Sequence, residues 1–236
     1  MFRICPIAHM VSDFPEKFGI PRQAGVVKEL ESIVVFAPEY RDPEALRGIE
    51  GFSHLWLIWQ FSEALREDWS PTVKPPRLGG NRRMGVFATR SPFRPNPIGL
   101  SCVRLEKVDF DAPDGPALIV RGADLMDGTP ICDVKPYLPY ADSKPDATGG
   151  FTEAVSFRTL LVDFPQALLD RLPPEERQAA VEVLAQDPRP GYKRDDPDRR
   201  YGVAFAGFDL RFTVSDGALR VVEVVPLKGD HTEDNP

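Results

Sequence analysis

The chain of 236 residues is poor in cysteine, and its Cys5, Cys102 and Cys132 stand far apart with no C-x-x-C and no His pair nearby. That spacing suggests neither a disulfide framework nor a zinc site, so a reducing compartment and no metal are expected. No apolar run approaches the ~18 residues of a membrane span. The first residues, broken by Arg3, Pro6 and Asp13, lack the hydrophobic region of a signal peptide, and the expectation is a cytoplasmic protein without membrane association. The common nucleotide and hydrolase motifs are missing too. No G-x-G-x-x-G follows a strand, and Gly80 and Gly85 have Walker spacing but lead into Val86 and Phe87 where Lys and Ser/Thr are required. There is no G-x-S-x-G and no H-E-x-x-H. A nucleotide bound here has to be held by an unrelated architecture.

Acidic residues are absent from one long stretch. Residues 69–105 contain no Asp or Glu but carry Lys74, Arg77, Arg82, Arg83, Arg90, Arg94 and Arg104, in a chain whose net charge is -7. The same stretch is punctuated by Pro75, Pro76, Pro92, Pro95 and Pro97 and by Gly79, Gly80, Gly85 and Gly99, so most of its backbone is expected to be neither helix nor plain strand. Stiff backbone would fix the guanidinium groups, as capture of an anion requires. A solvated basic loop is the alternative reading.

Elsewhere, short apolar segments recur without long helices between them. Residues 2–11, 32–36, 55–61, 85–89, 100–108, 117–120 and 131–134 read as strands, with Asp127, Gly128, Thr129 and Pro130 as a tight turn before the last. Residues 55–61 (LWLIWQF) are expected to form a central strand buried on both faces. Residues 43–49 read as a short helix capped by Asp42. This spacing predicts a mainly β protein, an antiparallel β-barrel outside the Rossmann class. The composition changes at residues 142–150 (DSKPDATGG). Beyond it, residues 165–186 read as helix divided by Pro173 and Pro174, residues 187–192 as a rigid turn, and residues 210–225 as a hairpin around Asp216 and Gly217. The expected organisation is a cofactor-binding barrel over residues 1–145, a smaller α+β C-terminal domain over 146–228 and a disordered tail over 229–236.

The polar residues with chemical potential are Arg22, Arg90, Arg94, Asn96, Asp124, Asp127, Asp133, Lys135 and Tyr137. Asp133 and Lys135 alternate on a strand and so share a face, which Tyr137 continues unless Pro136 breaks the row. A carboxylate beside a lysine and a phenol can position or deprotonate a weakly acidic N–H. A surface ion pair worth ~0 to 1 kcal/mol is the other reading. Pro21 stiffens the turn presenting Arg22 and Gln23, and Ser62 and Glu63 sit where the Trp-rich strand leaves the core. A lone His54 reads as a structural hydrogen-bonder.

The segments PRQ (21–23), GFSHLW (51–56), PPRLGGNRRMGVFATRSPFRPNPIGLS (75–101), DLMDGTPICDVKPYLPYADS (124–143) and DPRPGY (187–192) resemble the TsaA-like, TrmO family of tRNA methyltransferases over nearly the whole chain. The resemblance implies an S-adenosylmethionine-dependent enzyme, built on a β-barrel and acting as a homodimer, that methylates N6 of threonylcarbamoyladenosine beside the tRNA anticodon. It implies cofactor contacts at Pro21, Arg22, Gln23, Ser62, Glu63, Arg90, Leu100, Gly122, Ala123 and Asp124. Relatives can carry a His-Gln pair at the Ser62 and Glu63 positions. The threonyl carboxylate or phosphates would fall to Arg94 and Asn96, with Arg82 and Arg83 on the RNA, and Asp133, Lys135 and Tyr137 would orient or deprotonate N6. The reading from a different class is a non-catalytic RNA- or nucleotide-binding module of the same fold. With a net charge of -7, RNA binding requires the acidic residues to lie away from the site, and tRNA affinity is expected to fall steeply with salt.

Overall fold

The computed structural model describes residues 4–65, 68–75, 82–153, 159–189 and 199–227. Its first part contains β1 (Ala8–Val11), β2 (Glu31–Phe36), β3 (His54–Gln60), the short β4 (Thr72–Val73) and β5 (Met84–Gly85), β6 (Ile98–Asp109), β7 (Ala117–Arg121), β8 (Pro130–Pro136) and the one-turn helix α1 (Pro139–Asp142). Strands β1-β2-β7-β6-β3-β8 close into a six-stranded barrel, every pair antiparallel, while β4 and β5 form a separate two-stranded ribbon. Inward-facing Met10, Val34, Leu55, Leu57, Val103, Leu118 and Ile131 fill the interior and are buried from water. Among the described residues, no helix is long and apolar enough to cross a membrane.

Strand β3 occupies the centre, between β6 and β8, but only one of its faces is core. Leu55, Leu57 and Trp59 are buried, whereas Trp56, Ile58 and Gln60 are half-buried on the outside. The expectation of burial on both faces is thereby corrected: outside the barrel Trp56 is covered by a polar contact, its Nε1 donating to Asp142 at 3.1 Å, and by the ring of Tyr137. A bulge in β8 matters more for function. Trp59 pairs with Ile131 but Ile58 with Asp133, so Cys132 is an extra residue and the two faces swap. Val134 therefore packs against the interior, and Asp133 and Lys135 point outward opposite Ile58 and Trp56.

Two other expectations change. Residues 85–89 form the end of β5 and a 3-10 turn, Val86–Ala88, because the Val86 N–H donates to the Pro71 carbonyl and its own carbonyl accepts from Thr89 N–H at 3.1 Å. Only Ala8–Val11 of the first expected strand is a strand, residues 1–3 lying outside the described set. The Asp42 cap is present, accepting from Glu44 N–H at 3.0 Å over a 3-10 turn, Pro43–Leu46.

The C-terminal part comprises β9 (Leu161–Asp163), α2 (Gln166–Leu169), α3 (Arg177–Ala185), β10 (Tyr201–Phe205), β11 (Phe208–Ser215) and β12 (Ala218–Pro226), with sheet order β10-β11-β12-β9 and β9 parallel to β12. Ala179, Ala180, Val183 and Leu184 of α3 cover the inner face of this sheet. The chain between β1 and β2 enters the same core. Phe14, Val27 and Leu30 are fully buried in it, the rings of Phe14 and Phe205 lie 5.3 Å apart, and a Cβ at Gly19 would come within 2.5 Å of Val203. Residues 12–30 are thus held between the barrel and the C-terminal sheet. Burying an aromatic of this size contributes roughly 1.5–3 kcal/mol, enough to fix the stretch that carries Pro21, Arg22 and Gln23.

Candidate active site

At the end of the barrel where β3 stops and β6 begins lies a cleft of about 2190 Å³. Its walls come from the β1–β2 connection (Lys17 to Gln23), the turn after β3 (Ser62, Glu63), the Pro-rich loop and start of β6 (Arg90 to Leu100), Asp124 after β7, and residues 148–152, Pro188 and Arg189 of the later chain.

Backbone hydrogen bonds lock these pieces together. The Gly25 N–H donates to the Gly122 carbonyl and the Gly122 N–H to the Leu30 carbonyl, both at 2.8 Å. Gly122 sits at φ 77° with its absent Cβ only 3.3 Å from Gly25 Cα, a conformation and closeness that favour glycine. Phe61 N–H donates to the Pro97 carbonyl at 2.9 Å, tying the exit of β3 to the Pro-rich loop. Gly99 faces Trp59 across the β3–β6 ladder, and a Cβ there would meet the indole at 2.2 Å. Glycine lets the Trp59 ring lie flat over β6, against Phe61 at 4.2 Å between centroids.

On this frame sits a short polar relay. Trp59 Nε1 donates to Ser101 Oγ at 3.0 Å, and Ser101 Oγ donates to Asp124 Oδ1 at 2.5 Å. Burial pushes the Asp124 carboxyl up from its ordinary value, opposed by the hydroxyl of Ser101, by the backbone N–H groups of Asp124 and Ala24, and by the positive charge of Arg90. Arg90 in turn donates from Nη1 to Gln23 Oε1. Lys17 Nζ donates to the Glu63 carbonyl at 2.8 Å and fixes the turn after β3.

Of the residues expected to meet a cofactor, Pro21, Arg22, Gln23, Ser62, Glu63, Arg90, Leu100 and Asp124 converge on this one cleft. Gly122 and Ala123 are buried beneath it, and both backbone polar groups of Gly122 are used by the frame. Asn96 and Arg94 line the cleft as well, but Arg94 Nη1 donates to the carbonyls of Thr89 and Ser91 at 3.0 and 3.4 Å, so its guanidinium holds the loop's shape. Arg82 and Arg83 are exposed on the β4–β5 ribbon, Arg83 donating to Thr72 Oγ1 at 2.8 Å. Arg77 lies outside the described residues.

Asp133, Lys135 and Tyr137 do not line the cleft. Asp133 and Lys135 form an exposed ion pair at 2.8 Å on the outer face that the β8 bulge dictates. The Tyr137 ring packs on Trp56 and His54, and its N–H donates to the His54 carbonyl at 3.0 Å, which places it at the opposite end of β3 from Gln60. Six residue steps of a strand span ~20 Å. Within a single chain, these three side chains face another surface.

Two residues joined to the cleft or its frame are not marked by spacing in the sequence. Ser101 is an ordinary strand residue until the fold puts it between Trp59 and Asp124. Arg189 reaches the cleft from the far side, paired with Asp187 at 2.8 Å and buried with it; its signal was the DPRPGY segment, of which residues 190–192 lie outside the described set.

Known proteins resemble this chain in sequence and in fold. The family model of the tRNA-methyltransferase O N-terminal domain matches residues 9–143, and that of the TrmO C-terminal domain matches residues 153–227. The chain belongs to the TrmO family. It is 41% identical over 232 residues to the tRNA (adenine(37)-N6)-methyltransferase of Escherichia coli, covering 95% of this chain and 98% of that protein. It is 43% identical over 178 residues to the enzyme of the same name from Eikenella corrodens, covering 75% and 99%. A crystal structure of TrmO from Pseudomonas aeruginosa superposes with a TM-score of 0.78 at 34% identity, covering 96% of this chain and 98% of that one. The mainly β architecture with its closed barrel is therefore that of TrmO, and the cleft lies chiefly in the part matched by the N-terminal model.

Proposed function

We propose that this chain is an S-adenosylmethionine-dependent methyltransferase that acts on N6 of adenine 37 in tRNA, as its relatives' names describe. The observation carrying this reading is the convergence of Gln23, Arg90 and Asp124, from three separate segments, on one cleft of a TrmO-family chain. The donor set fits the cofactor. Asp124 and Glu63 supply carboxylates for ribose hydroxyls or an ammonium, Arg90 a guanidinium for a carboxylate, and the partly exposed Ile98 and Leu100 an apolar surface for a purine. When bound, that group supplies an electrophilic methyl on a sulfonium whose leaving group is neutral. The chain's task is to hold the methyl in line with N6 and to exclude water, and the cleft built on rigid strands and hydrogen-bonded loops suits it.

The finer substrate is threonylcarbamoyladenosine. Its urea-like N6 proton is more acidic than that of an adenine amine, and its threonyl carboxylate meets the positive field of residues 69–105, with Arg94 holding the loop and Asn96 in reach. We further propose a cytoplasmic homodimer, because Asp133, Lys135 and Tyr137 can orient or deprotonate N6 only if this face of β8 meets the cleft of a second copy. The test is transfer of tritium from methyl-labelled S-adenosylmethionine into tRNA by the purified chain. Transfer by the wild type and its reduction in Arg90→Ala at sub-saturating cofactor support the reading; tRNA binding without transfer favours a non-catalytic RNA-binding module.

A further inference from the structure

Trp69 and Phe87 make an exposed aromatic pair on the wall of the cleft. Their ring centroids are 6.1 Å apart with planes inclined by 30°, and the residues are 53% and 73% exposed. They flank the β4–β5 ribbon: Trp69 precedes Thr72, and Phe87 follows Gly85 in the 3-10 turn. Lys74, Arg82 and Arg83 are exposed on the same ribbon, with Arg83 steadied by Thr72, and no Asp or Glu occurs from residue 69 to residue 105. Two large rings left in water beside three cations are not explained by packing.

We propose that Trp69 and Phe87 are a stacking platform for the unstacked nucleobases that flank the methylated adenine in the tRNA loop. This rests on the proposed function and adds to it the part of the RNA that the outer cleft takes. Size supports it: small-molecule sites occupy about 300–1,000 Å³, so a cleft of about 2190 Å³ leaves room beyond one cofactor and one nucleoside. Chemistry supports it as well, since recognition of RNA loops uses splayed bases stacked on aromatic side chains, with cations taking the phosphates. Packing of the patch on the same patch of a second copy suits it poorly. A two-fold axis through the patch itself would bring Lys74, Arg82 and Arg83 close to their own images. Single-stranded RNA complements both the rings and the charge.

The experiment measures binding of an anticodon stem-loop RNA, with and without an abasic residue beside adenine 37, alongside S-adenosylmethionine affinity and oligomeric state. Trp69→Ala and Phe87→Ala should each weaken stem-loop binding by roughly fivefold to a hundredfold. Phe87→Leu, which keeps apolar bulk but not the π face, should be as weak as Phe87→Ala, and Trp69→Phe should bind nearly as the wild type does. Cofactor affinity should stay within about twofold in all of them, whereas a merely structural role would move it too. The abasic stem-loop should bind the wild type weakly and lose nothing more in Phe87→Ala. Unchanged RNA affinity, an equal loss of cofactor affinity, or conversion of the variants to a different oligomer would overturn the proposal. Should the wild type bind the stem-loop through these rings yet transfer no methyl group, the enzymatic reading fails and the platform stands.

Discussion

Ser101 donates its hydroxyl to Asp124 at 2.5 Å while accepting the indole N–H of Trp59 at 3.0 Å, and this places a carboxylate at the floor of the cleft with its orientation set from behind. The contact joins three strands' worth of structure: β3 through Trp59, β6 through Ser101, and the segment after β7 through Asp124. An unpartnered buried polar group costs ~1–3 kcal/mol, so each member of the relay depends on the other two.

Ser101→Ala should therefore lower stability by ~1–3 kcal/mol and weaken S-adenosylmethionine binding by freeing the Asp124 carboxyl. Ser101→Thr, which keeps the hydroxyl, should recover part of both. Denaturant unfolding and calorimetric titration of each variant check this, and cofactor affinity unchanged in Ser101→Ala would separate the relay from the site.

Arg90→Ala should cut cofactor affinity about tenfold or more, a loss of ~1.4 kcal/mol or greater, the scale of one charge-assisted hydrogen bond. Arg90→Lys should recover little. A lysine lacks the planar fork that can serve Gln23 and a carboxylate together. Equilibrium dialysis reads both, and full rescue by lysine would show that charge alone is used.

A pH dependence is built into the seam between the two parts of the chain. Burial and the neighbouring Asp13, Glu175 and Glu31 push Glu176 up to about 7, and burial also raises Asp13. Because the folded-state value of Glu176 lies above its ordinary 4.5, its contribution to stability is full below that value and is lost as pH rises toward about 7. Thermal melts of the wild type should fall between pH ~5 and ~7.5 more than those of Glu176→Gln, with the variant the more stable at the higher pH. Parallel curves would contradict the assignment.

If the β8 face works on the partner's cleft, subunits of Arg90→Ala and Tyr137→Phe, each inactive alone, should complement when mixed. Random reassortment gives half heterodimers with one intact composite site each, or about a quarter of wild-type activity. No recovery would leave Asp133, Lys135 and Tyr137 as an outer-face cluster without a part in the reaction.

Much of the barrel was legible in the sequence because a period of two in apolar residues and the turn at Asp127 and Gly128 specify strands and their reversal. The hairpin at Asp216 and Gly217 was legible too, both residues adopting positive φ. Strand β10 was not, because its turn uses Ala206 at φ 49° before Gly207, where Asn or Asp would have been the usual sign. The outward turn of Asp133 and Lys135 was hidden for another reason: a bulge is a property of strand pairing, and alternation alone carries Ile131 and Asp133 to the same side. The cofactor candidates were found through the family resemblance, whereas Ser101 needed the fold to bring Trp59 and Asp124 to it.

The most direct test of the central claim is nucleoside mass spectrometry of tRNA incubated with the purified chain and S-adenosylmethionine carrying a deuterated methyl group. The label should appear on N6 of threonylcarbamoyladenosine at position 37, and far less of it with Arg90→Ala at sub-saturating cofactor. Label on another nucleoside, or no label with cofactor and tRNA both bound, would contradict that claim.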